Sequence, residues 1–243
     1  METLLLVADL IGVFAFAVSG NLLAARKDID ILGSLVLGMA VGLGGGIMRD
    51  VILGRLPVSL EAPYYLIPPV LSTVLVYFVG RRVDVARGPI VAFDALGLGV
   101  FVTTGTAIGM AAGVPTASAI LLGVLTGVGG GMIRDVLANE IPAVFNSSDL
   151  YILPGIAGAA ITALVWHLGW YGPWWTVGIA VFVFVFRMLG WWFEWRVPHP
   201  MRGWSYSSVR ELPVFRRPGE GRLRSGLRDR GVFAPRRRKR RDD

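Results

Sequence analysis

The sequence GLGGGIMRDV occupies residues 42–51, and the nearly identical GVGGGMIRDV occupies residues 127–136. Each copy ends a long apolar run with three glycines, and an arginine–aspartate pair follows after two further residues. Glycine costs roughly 1 kcal/mol relative to alanine at each position inside a helix, and charged side chains are costly to bury. A stretch that combines both features and occurs twice predicts a functional site.

The repetition extends far beyond these residues, at a constant offset of 85 positions. Aspartate, glycine, phenylalanine and hydroxyl side chains recur in the same order in both halves of the chain. The matched positions are Asp9, Gly12, Phe16, Ser19, Gly20, Gly38, Gly42, Ile67 and Pro69 in the first half, and Asp94, Gly97, Phe101, Thr104, Gly105, Gly123, Gly127, Ile152 and Pro154 in the second. Residues 1–87 and 88–172 are therefore predicted to be two copies of one three-helix unit.

The composition is typical of a protein that crosses a membrane several times. Hydrophobic residues make up 54% of the chain and charged residues 17%, against about 25% charged in soluble domains, and the mean hydropathy is +0.61. We predict an all-α membrane protein with seven transmembrane helices, because seven apolar segments approach the length needed to cross ~30 Å of hydrocarbon. These segments are residues 4–24, 31–46, 64–80, 90–110, 115–133, 150–170 and 174–192.

Each unit contains three predicted spans, an odd number, so the second unit must enter the membrane from the opposite side. In such inverted-topology repeats, substrate or ion sites lie near the membrane midplane at the interface between the units. The seventh helix, within residues 173–195, has no partner in the repeat. Arginine and lysine are more frequent in the loops on one side, and the positive-inside rule then predicts an N-terminus outside the cell.

The glycine triplets allow two interpretations. Three adjacent glycines favour a local helix break, which at membrane depth would turn backbone carbonyl oxygens toward a water-filled cavity. Such carbonyls can replace part of the hydration shell of a cation. Alternatively, the glycines let two helices pack closely, as small residues do in membranes. On the first interpretation the pore-lining kink residues are Gly44, Gly45, Gly46, Gly129, Gly130 and Gly131.

The charged residues of the repeated stretch need partners if they lie inside the membrane. Within each arginine–aspartate pair the side chains are expected to diverge around the helix, so that partners come from elsewhere. The alternatives are snorkelling of the arginines to the headgroups and a simple helix N-terminal preference of the more distant aspartates. We predict a charged pore or vestibule containing Arg49, Asp50, Arg134 and Asp135, with Asp9 and Asp94 as candidate partners.

Three further polar side chains lie within the predicted spans. Ser19 and Thr104 occupy equivalent positions and are candidates to line a pore, although hydroxyls in membrane helices ordinarily bond between helices. Arg187 lies late in the seventh span, where it is expected to snorkel toward the basic C-terminal segment.

The positive charge is concentrated at the C-terminus. Residues 194–243 hold fifteen of the 24 lysines and arginines. Because residues 196–243 are also rich in glycine, proline and serine, they are predicted to form a disordered cytoplasmic tail. Such a tail would be attracted to anionic lipid headgroups. Nucleic-acid binding is not expected, since aromatic residues do not alternate with the basic ones.

Few residues offer catalytic or ligand-binding chemistry. The chain contains no cysteine and only two histidines, His167 and His199, with no nucleophile or metal-ligand set near them in sequence. The glycines are not followed by the Gly-Lys-Ser/Thr of a phosphate-binding loop. We therefore expect neither an enzyme nor a cofactor, and we assign no catalytic or metal-binding residue.

The chain resembles the prokaryotic trimeric intracellular cation (TRIC) channels, because two three-span units with Gly-Gly-Gly-x-x-Arg-Asp precede a seventh span. This family overlaps one named for glycine transport, and the resemblance covers about residues 3–193. It implies a homotrimer in the prokaryotic inner membrane, conducting monovalent cations, chiefly potassium. The pore would lie inside each protomer at the glycine-broken second and fifth spans, lined also by the first and fourth. Secondary transport of glycine or another small amino acid stays open, because such carriers also use inverted repeats.

Overall fold

The computed structural model describes residues 2–80, 87–145 and 151–195, and all regular secondary structure in these ranges is helical. Two short 3-10 helices, Pro63–Leu66 and Ala143–Phe145, lie in loops. The predicted disordered tail, residues 196–243, lies outside the described residues. The α-helices are α1 (Glu2–Arg26), α2 (Ile31–Ile52), α3 (Val58–Glu61), α4 (Ile67–Gly80), α5 (Arg87–Ala111), α6 (Thr116–Leu137), α7 (Ile152–His167) and α8 (Pro173–Trp192).

Five helices are long and apolar enough to cross a membrane, namely α1, α2, α5, α6 and α8. The helices α4 and α7 are shorter, with 14 and 16 residues, or about 21 and 24 Å at the rise of an α-helix. The third predicted span is shortened because Pro63–Leu66 forms a 3-10 helix ahead of α4. The all-α membrane class is confirmed, and crossing of the bilayer by α4 and α7 stays a prediction.

The two predicted units end their helices in the same way. After α1 the chain passes through Asp28 in the left-handed conformation (φ 55°), and after α5 through Gly113 (φ 75°). After α2 and α6 the corresponding residues are Gly54 (φ 69°) and Asn139 (φ 55°). Both pairs obey the offset of 85 residues, and Gly, Asn and Asp are the residues that adopt this conformation most readily. The sequence repeat is therefore also a repeat of local structure.

The two units contact each other reciprocally. The carbonyl oxygen of Thr126 in α6 lies where a Cβ on Gly45 of α2 would stand, and the carbonyl oxygen of Val41 in α2 lies where a Cβ on Gly130 of α6 would stand. These two contacts are equivalent under the repeat. Reciprocal contacts between equivalent positions are what a twofold rotation produces, so an approximate twofold axis passes between α2 and α6.

Both glycine triplets lie inside continuous helices, α2 and α6. The prediction that the glycines break these helices is therefore wrong. The alternative interpretation describes the structure, because the middle glycine of each triplet lets the backbones of α2 and α6 touch. Close contact between helices offsets the weak helix propensity of glycine.

The helices α1, α2, α5 and α6 form the centre of the protein. On this centre α4 packs against α1 and α2, α7 packs against α5 and α6, and α8 packs mainly against α5. Large apolar side chains are exposed on the outer helices, among them Phe78 in α4 and Val181 and Leu189 in α8. An apolar exterior of this kind suits helices that face lipid or another membrane-embedded subunit.

We predict that Gly130→Ala destabilises the fold by about 1–3 kcal/mol, because its Cβ would lie 2.6 Å from the carbonyl oxygen of Val41. The matched control is Gly46→Ala, whose Cβ would meet no atom closer than Arg49 Nη2 at 3.9 Å. Alanine is the better helix former, so the control should be at least as stable as the wild type. Thermal unfolding in detergent measures both variants, and an equal loss of stability would contradict the packing role.

Candidate functional site

The first charged site surrounds Arg49, near the C-terminus of α2. Arg49 is 2% exposed. Its Nη1 donates a hydrogen bond to Asp9 Oδ2 at 2.9 Å, and its Nε donates one to Asp50 Oδ1 at 2.9 Å. A buried guanidinium needs such carboxylates, since removing one partner leaves an uncompensated charge. We call Asp9, Arg49 and Asp50 the Arg49 site; it joins α1 to α2.

Asp50 also fixes the loop that follows α2. Its Oδ2 accepts a hydrogen bond from the backbone N–H of Val58 at 3.1 Å, and its Oδ1 accepts one from Arg55 Nη2 at 2.6 Å. The side chain of Arg55 is 42% exposed, so this second cation reaches the Arg49 site from the surface. Asp50 therefore neutralises a buried arginine and anchors a loop at the same time.

The second charged site repeats this geometry around Arg134 in α6. Arg134 Nη1 donates to Asp94 Oδ1 at 2.6 Å, and Arg134 Nε donates to Asp135 Oδ1 at 2.9 Å. Asp135 Oδ2 accepts a hydrogen bond from the backbone N–H of Ala143 at 2.9 Å, the residue that corresponds to Val58 in the repeat. We call Asp94, Arg134 and Asp135 the Arg134 site; it joins α5 to α6.

The predicted partners of the two arginines, Asp9 and Asp94, are confirmed. The expectation that adjacent arginine and aspartate side chains diverge is wrong, because each guanidinium turns toward the aspartate that follows it. Snorkelling is also wrong for Arg49 and Arg134, which are 2% and 5% exposed. Asp9 and Asp94 both lie beyond the first turn of their helices, outside the reach of a helix N-terminal preference.

The equivalent hydroxyls of Ser19 and Thr104 differ in their bonding. Ser19 Oγ donates to the carbonyl oxygen of Ile90 at 3.2 Å and accepts from Arg134 Nη1 at 2.6 Å, so it links the first unit to the second. Thr104 is buried, and its hydroxyl has no hydrogen-bond partner among the described residues. Ser19 thus makes the helix-to-helix bond expected of such hydroxyls, and a pore-lining role for either residue stays a prediction.

Two aromatic rings separate the charged sites. Phe16 in α1 and Phe101 in α5 are equivalent in the repeat, and their ring centroids lie 5.3 Å apart. Each ring lies against two glycines of the other unit, as Phe101 does against Gly12 and Gly45. Asp9 belongs to the Arg49 site, and Ser19 bonds to Arg134 of the other site. These two residues are ten positions apart on α1, or about 15 Å along the helix. The repeat offset had paired the phenylalanines in sequence, but it gave no sign that they touch.

The two charged sites differ in access. A cavity of about 670 Å³ reaches Arg134 and Asp135. At the other site, the cavity lined by Asp9, Arg49 and Phe101 measures about 10 Å³, room for about one water molecule. The cavity that reaches the Arg134 site is therefore much the larger of the two, while the side chains of both sites are buried. Within the described ranges, no group of three or more His, Cys, Asp or Glu side chains is placed to hold a metal ion.

The surroundings of the sites also differ in charge. Position 140 carries glutamate, whereas the equivalent position 55 carries arginine. Glu140 pairs with Lys27 at 3.0 Å, and Lys27 Nζ also donates to the carbonyl oxygen of Ala138 at 2.5 Å. The Arg134 site consequently lacks the surface cation that Arg55 supplies to the Arg49 site.

The structure places two further side chains, Tyr151 and Arg187, next to the Arg134 site. The Tyr151 hydroxyl donates to Asp94 Oδ1 at 3.3 Å. Arg187 of α8 is 2% exposed, and its guanidinium carbon lies 4.8 Å from the centroid of the Tyr151 ring. The predicted snorkelling of Arg187 is therefore wrong. No pattern indicated Tyr151, because the corresponding position 66 is leucine.

The fold and the two sites define a helical membrane protein of two pseudo-twofold-related units, each with a buried arginine between carboxylates. A family model described as "Glycine transporter" matches residues 6–81 and 91–167. The chain belongs to this family.

Its relatives are named as membrane proteins. The UPF0126 membrane protein of Deinococcus radiodurans is 41% identical over 162 residues, which are 66% of this chain and 74% of the relative. The UPF0126 membrane protein YvgT of Bacillus subtilis is 34% identical over 195 residues, or 79% of this chain and 94% of the relative. Together with the apolar helices, these matches show an integral membrane protein.

Solved structures of TRIC channels share the fold. The TRIC channel orthologue from Rhodobacter sphaeroides matches with a TM-score of 0.74 and 30% identity, over 79% of this chain and 98% of that one. A further prokaryotic TRIC channel matches with a TM-score of 0.74 and 28% identity, over 81% and 100% of the two chains. The resemblance to the prokaryotic TRIC family is thereby confirmed.

We predict that Asp94→Asn destabilises the protein by about 3–5 kcal/mol, because it leaves the buried guanidinium of Arg134 without its strongest partner. Asp28→Asn is the matched control: Asp28 is exposed, and asparagine also tolerates its left-handed backbone. The control should stay within about 0.5 kcal/mol of the wild type. Denaturation in detergent compares the three proteins, and equal stability of both variants would show that the Asp94 pair does not hold α5 to α6.

Proposed function

We propose that the protein is a potassium-permeable channel for monovalent cations, assembled as a homotrimer with a separate pore in each protomer. The proposal is supported by structures named as TRIC cation channels, which this chain matches over 79–82% of its length at 28–30% identity. Those proteins are channels rather than enzymes, so no enzymatic activity is proposed.

The observation that carries the proposal is the order of groups along the central helices. One charged site lies on each side of the Phe16–Phe101 contact, and all of these groups belong to α1, α2, α5 and α6. A cation would enter the cavity of about 670 Å³ and reach the Arg134 site. It would then pass the two rings and leave by the Arg49 site.

The charges of the sites favour cations. Each site combines two carboxylates with one guanidinium from α2 or α6, and at the Arg49 site the partly exposed Arg55 adds a second guanidinium. Conduction requires binding that is favourable enough for entry and weak enough for release. Carboxylates that are largely neutralised by arginines would hold a monovalent cation only weakly, and potassium sheds its hydration water more easily than sodium does.

The glycine triplets have a different role in this pore from the one expected of a helix break. Their middle residues hold α2 and α6 together, and the last residues leave space beside the charged sites. Gly46 lines the small cavity at the Arg49 site, and a Cβ on Gly131 would lie 3.0 Å from Asp94 Oδ1. Ser19 and Thr104 would present hydroxyl oxygens between the sites and the rings.

The proposed setting is the inner membrane of a prokaryote, with the N-terminus outside and the basic tail in the cytoplasm near anionic lipid. Support for the membrane comes from a relative in Escherichia coli, which is 36% identical and is named an inner membrane protein. Support for the orientation comes from the distribution of arginine and lysine in the loops.

Secondary transport of glycine or another small amino acid is the second candidate. The difference in size between the two cavities favours it, since they measure about 670 Å³ at one site and about 10 Å³ at the other. A carrier that works by alternating access opens to one side at a time. The family description agrees with this reading. Carriers are also built from inverted repeats that rock about a central site.

We expect the purified protein in a planar bilayer to give discrete current steps in potassium chloride, reversing near the potassium equilibrium potential under a gradient. A channel needs no other solute, whereas a carrier should instead give saturable glycine uptake into liposomes. Absence of steps together with saturable uptake would replace the channel with the carrier.

We also predict that Phe16→Ala raises potassium flux by roughly two- to ten-fold, because an apolar constriction blocks ions by excluding water. The matched control is Phe182→Ala on α8, whose ring is 42% exposed on the outer surface and should leave flux unchanged. Flux into liposomes measures both variants. If Phe16→Ala conducts no better than the wild type, the rings are not the constriction.

A further inference from the structure

The only charged residue of α8 is Arg187, and it is buried with no carboxylate bonded to it among the described residues. Its Nε and Nη1 have no hydrogen-bond partner among the described residues. A buried guanidinium without a paired carboxylate is strongly destabilising. Its position therefore calls for a role that uses the positive charge itself.

Arg187 is connected to the Arg134 site through one aromatic side chain. The guanidinium carbon lies 4.8 Å from the centroid of the Tyr151 ring, a distance at which a cation is attracted to the ring face. Tyr151 is 3% exposed, and its hydroxyl donates to Asp94 Oδ1 at 3.3 Å. The same oxygen accepts from Arg134. The contacts therefore run from Arg134 to Asp94, from Asp94 to Tyr151, and from Tyr151 to Arg187.

The two charged sites differ in the source of their second cation. The Arg49 site receives a second cation from Arg55, which bonds to Asp50. The corresponding position in the second unit is Glu140, which pairs with Lys27 instead. The Arg134 site therefore has no second cation from its own unit. The wider cavity there is also lined by Arg26, Arg87, Glu140 and Glu194, whose charges balance one another. With Arg187 counted, each site itself has two carboxylates and two guanidinium groups.

We infer that Arg187 is a charge-balancing and positioning residue of the Arg134 site, acting through Tyr151 to hold Asp94 and to limit how strongly the site attracts cations. The inference rests on the proposed channel function. It gives α8, the helix outside the repeat, a part in permeation. Because Arg187 is buried and Arg55 is partly exposed, salt should screen the charge of Arg55 more than that of Arg187.

The test compares Arg187→Gln with Arg187→Lys in single-channel recordings, with barium ions as the probe, added to one side at a time. Arg187→Gln leaves the Arg134 site with a net negative charge. Barium should then block from the side of the large cavity at concentrations lower by on the order of three- to ten-fold, with block from the other side unchanged. Arg187→Lys keeps the charge and should behave as the wild type.

Two further variants make the outcome specific. Arg55→Gln should strengthen barium block from the opposite side only. Tyr151→Phe keeps the ring and removes the hydrogen bond to Asp94, so it should shift block in the same direction as Arg187→Gln but by less. It also serves as the test if Arg187→Gln does not fold, and wild-type block in Tyr151→Phe would then overturn the inference.

Failure of the inference is distinguishable from failure of the channel proposal. A wild type that carries no potassium current overturns the channel and the inference together. A conducting wild type whose barium block is the same in Arg187→Gln overturns the inference alone. An equal change in Arg187→Gln and Arg187→Lys also overturns it, because packing rather than charge would then be the cause.

Discussion

A guanidinium buried among apolar helices must be neutralised by carboxylates, and the fold depends on how this protein meets that constraint. Arg49 binds Asp9 on the neighbouring helix as well as Asp50 next to it, and Arg134 does the same with Asp94 and Asp135. Each arginine therefore ties two helices of its unit together by charge. The second carboxylate of each site also accepts a backbone hydrogen bond from the following loop. One electrostatic requirement thus joins neighbouring helices and fixes the loops that follow α2 and α6.

The second constraint on the fold is steric, because two large rings must fit where the units meet at the twofold axis. Two bulky rings, Phe16 and Phe101, touch at the centre, and they fit because glycines of the opposite unit leave room for them. Two of these glycines, Gly45 and Gly130, also bring the backbones of α2 and α6 into contact. The region between the two charged sites is therefore narrow and apolar.

The differences between the units matter as much as their likeness. Ser19 bonds to Arg134, whereas the hydroxyl of its counterpart Thr104 is without a partner among the described residues. The cavity at the Arg134 site measures about 670 Å³ and the one at the Arg49 site about 10 Å³. The helix α8 lies outside the repeat, and its Arg187 adds a further difference between the two sites.

The sequence by itself determined the membrane class, the two units and the residues of the charged sites, because the hydropathy, the constant offset and the repeated Arg-Asp pairs are properties of linear order. It also indicated Asp9 and Asp94 as partners of the arginines. Only the tertiary structure decided that the glycine triplets stay helical, since the packing of α2 against α6 outweighs the local preference of glycine. Likewise, only the tertiary structure decided that Arg49 bonds to Asp50, that Phe16 contacts Phe101, and that Arg187 lies against the ring of Tyr151. Those outcomes depend on which surfaces of distant helices meet, and no periodicity within a single segment contains that information.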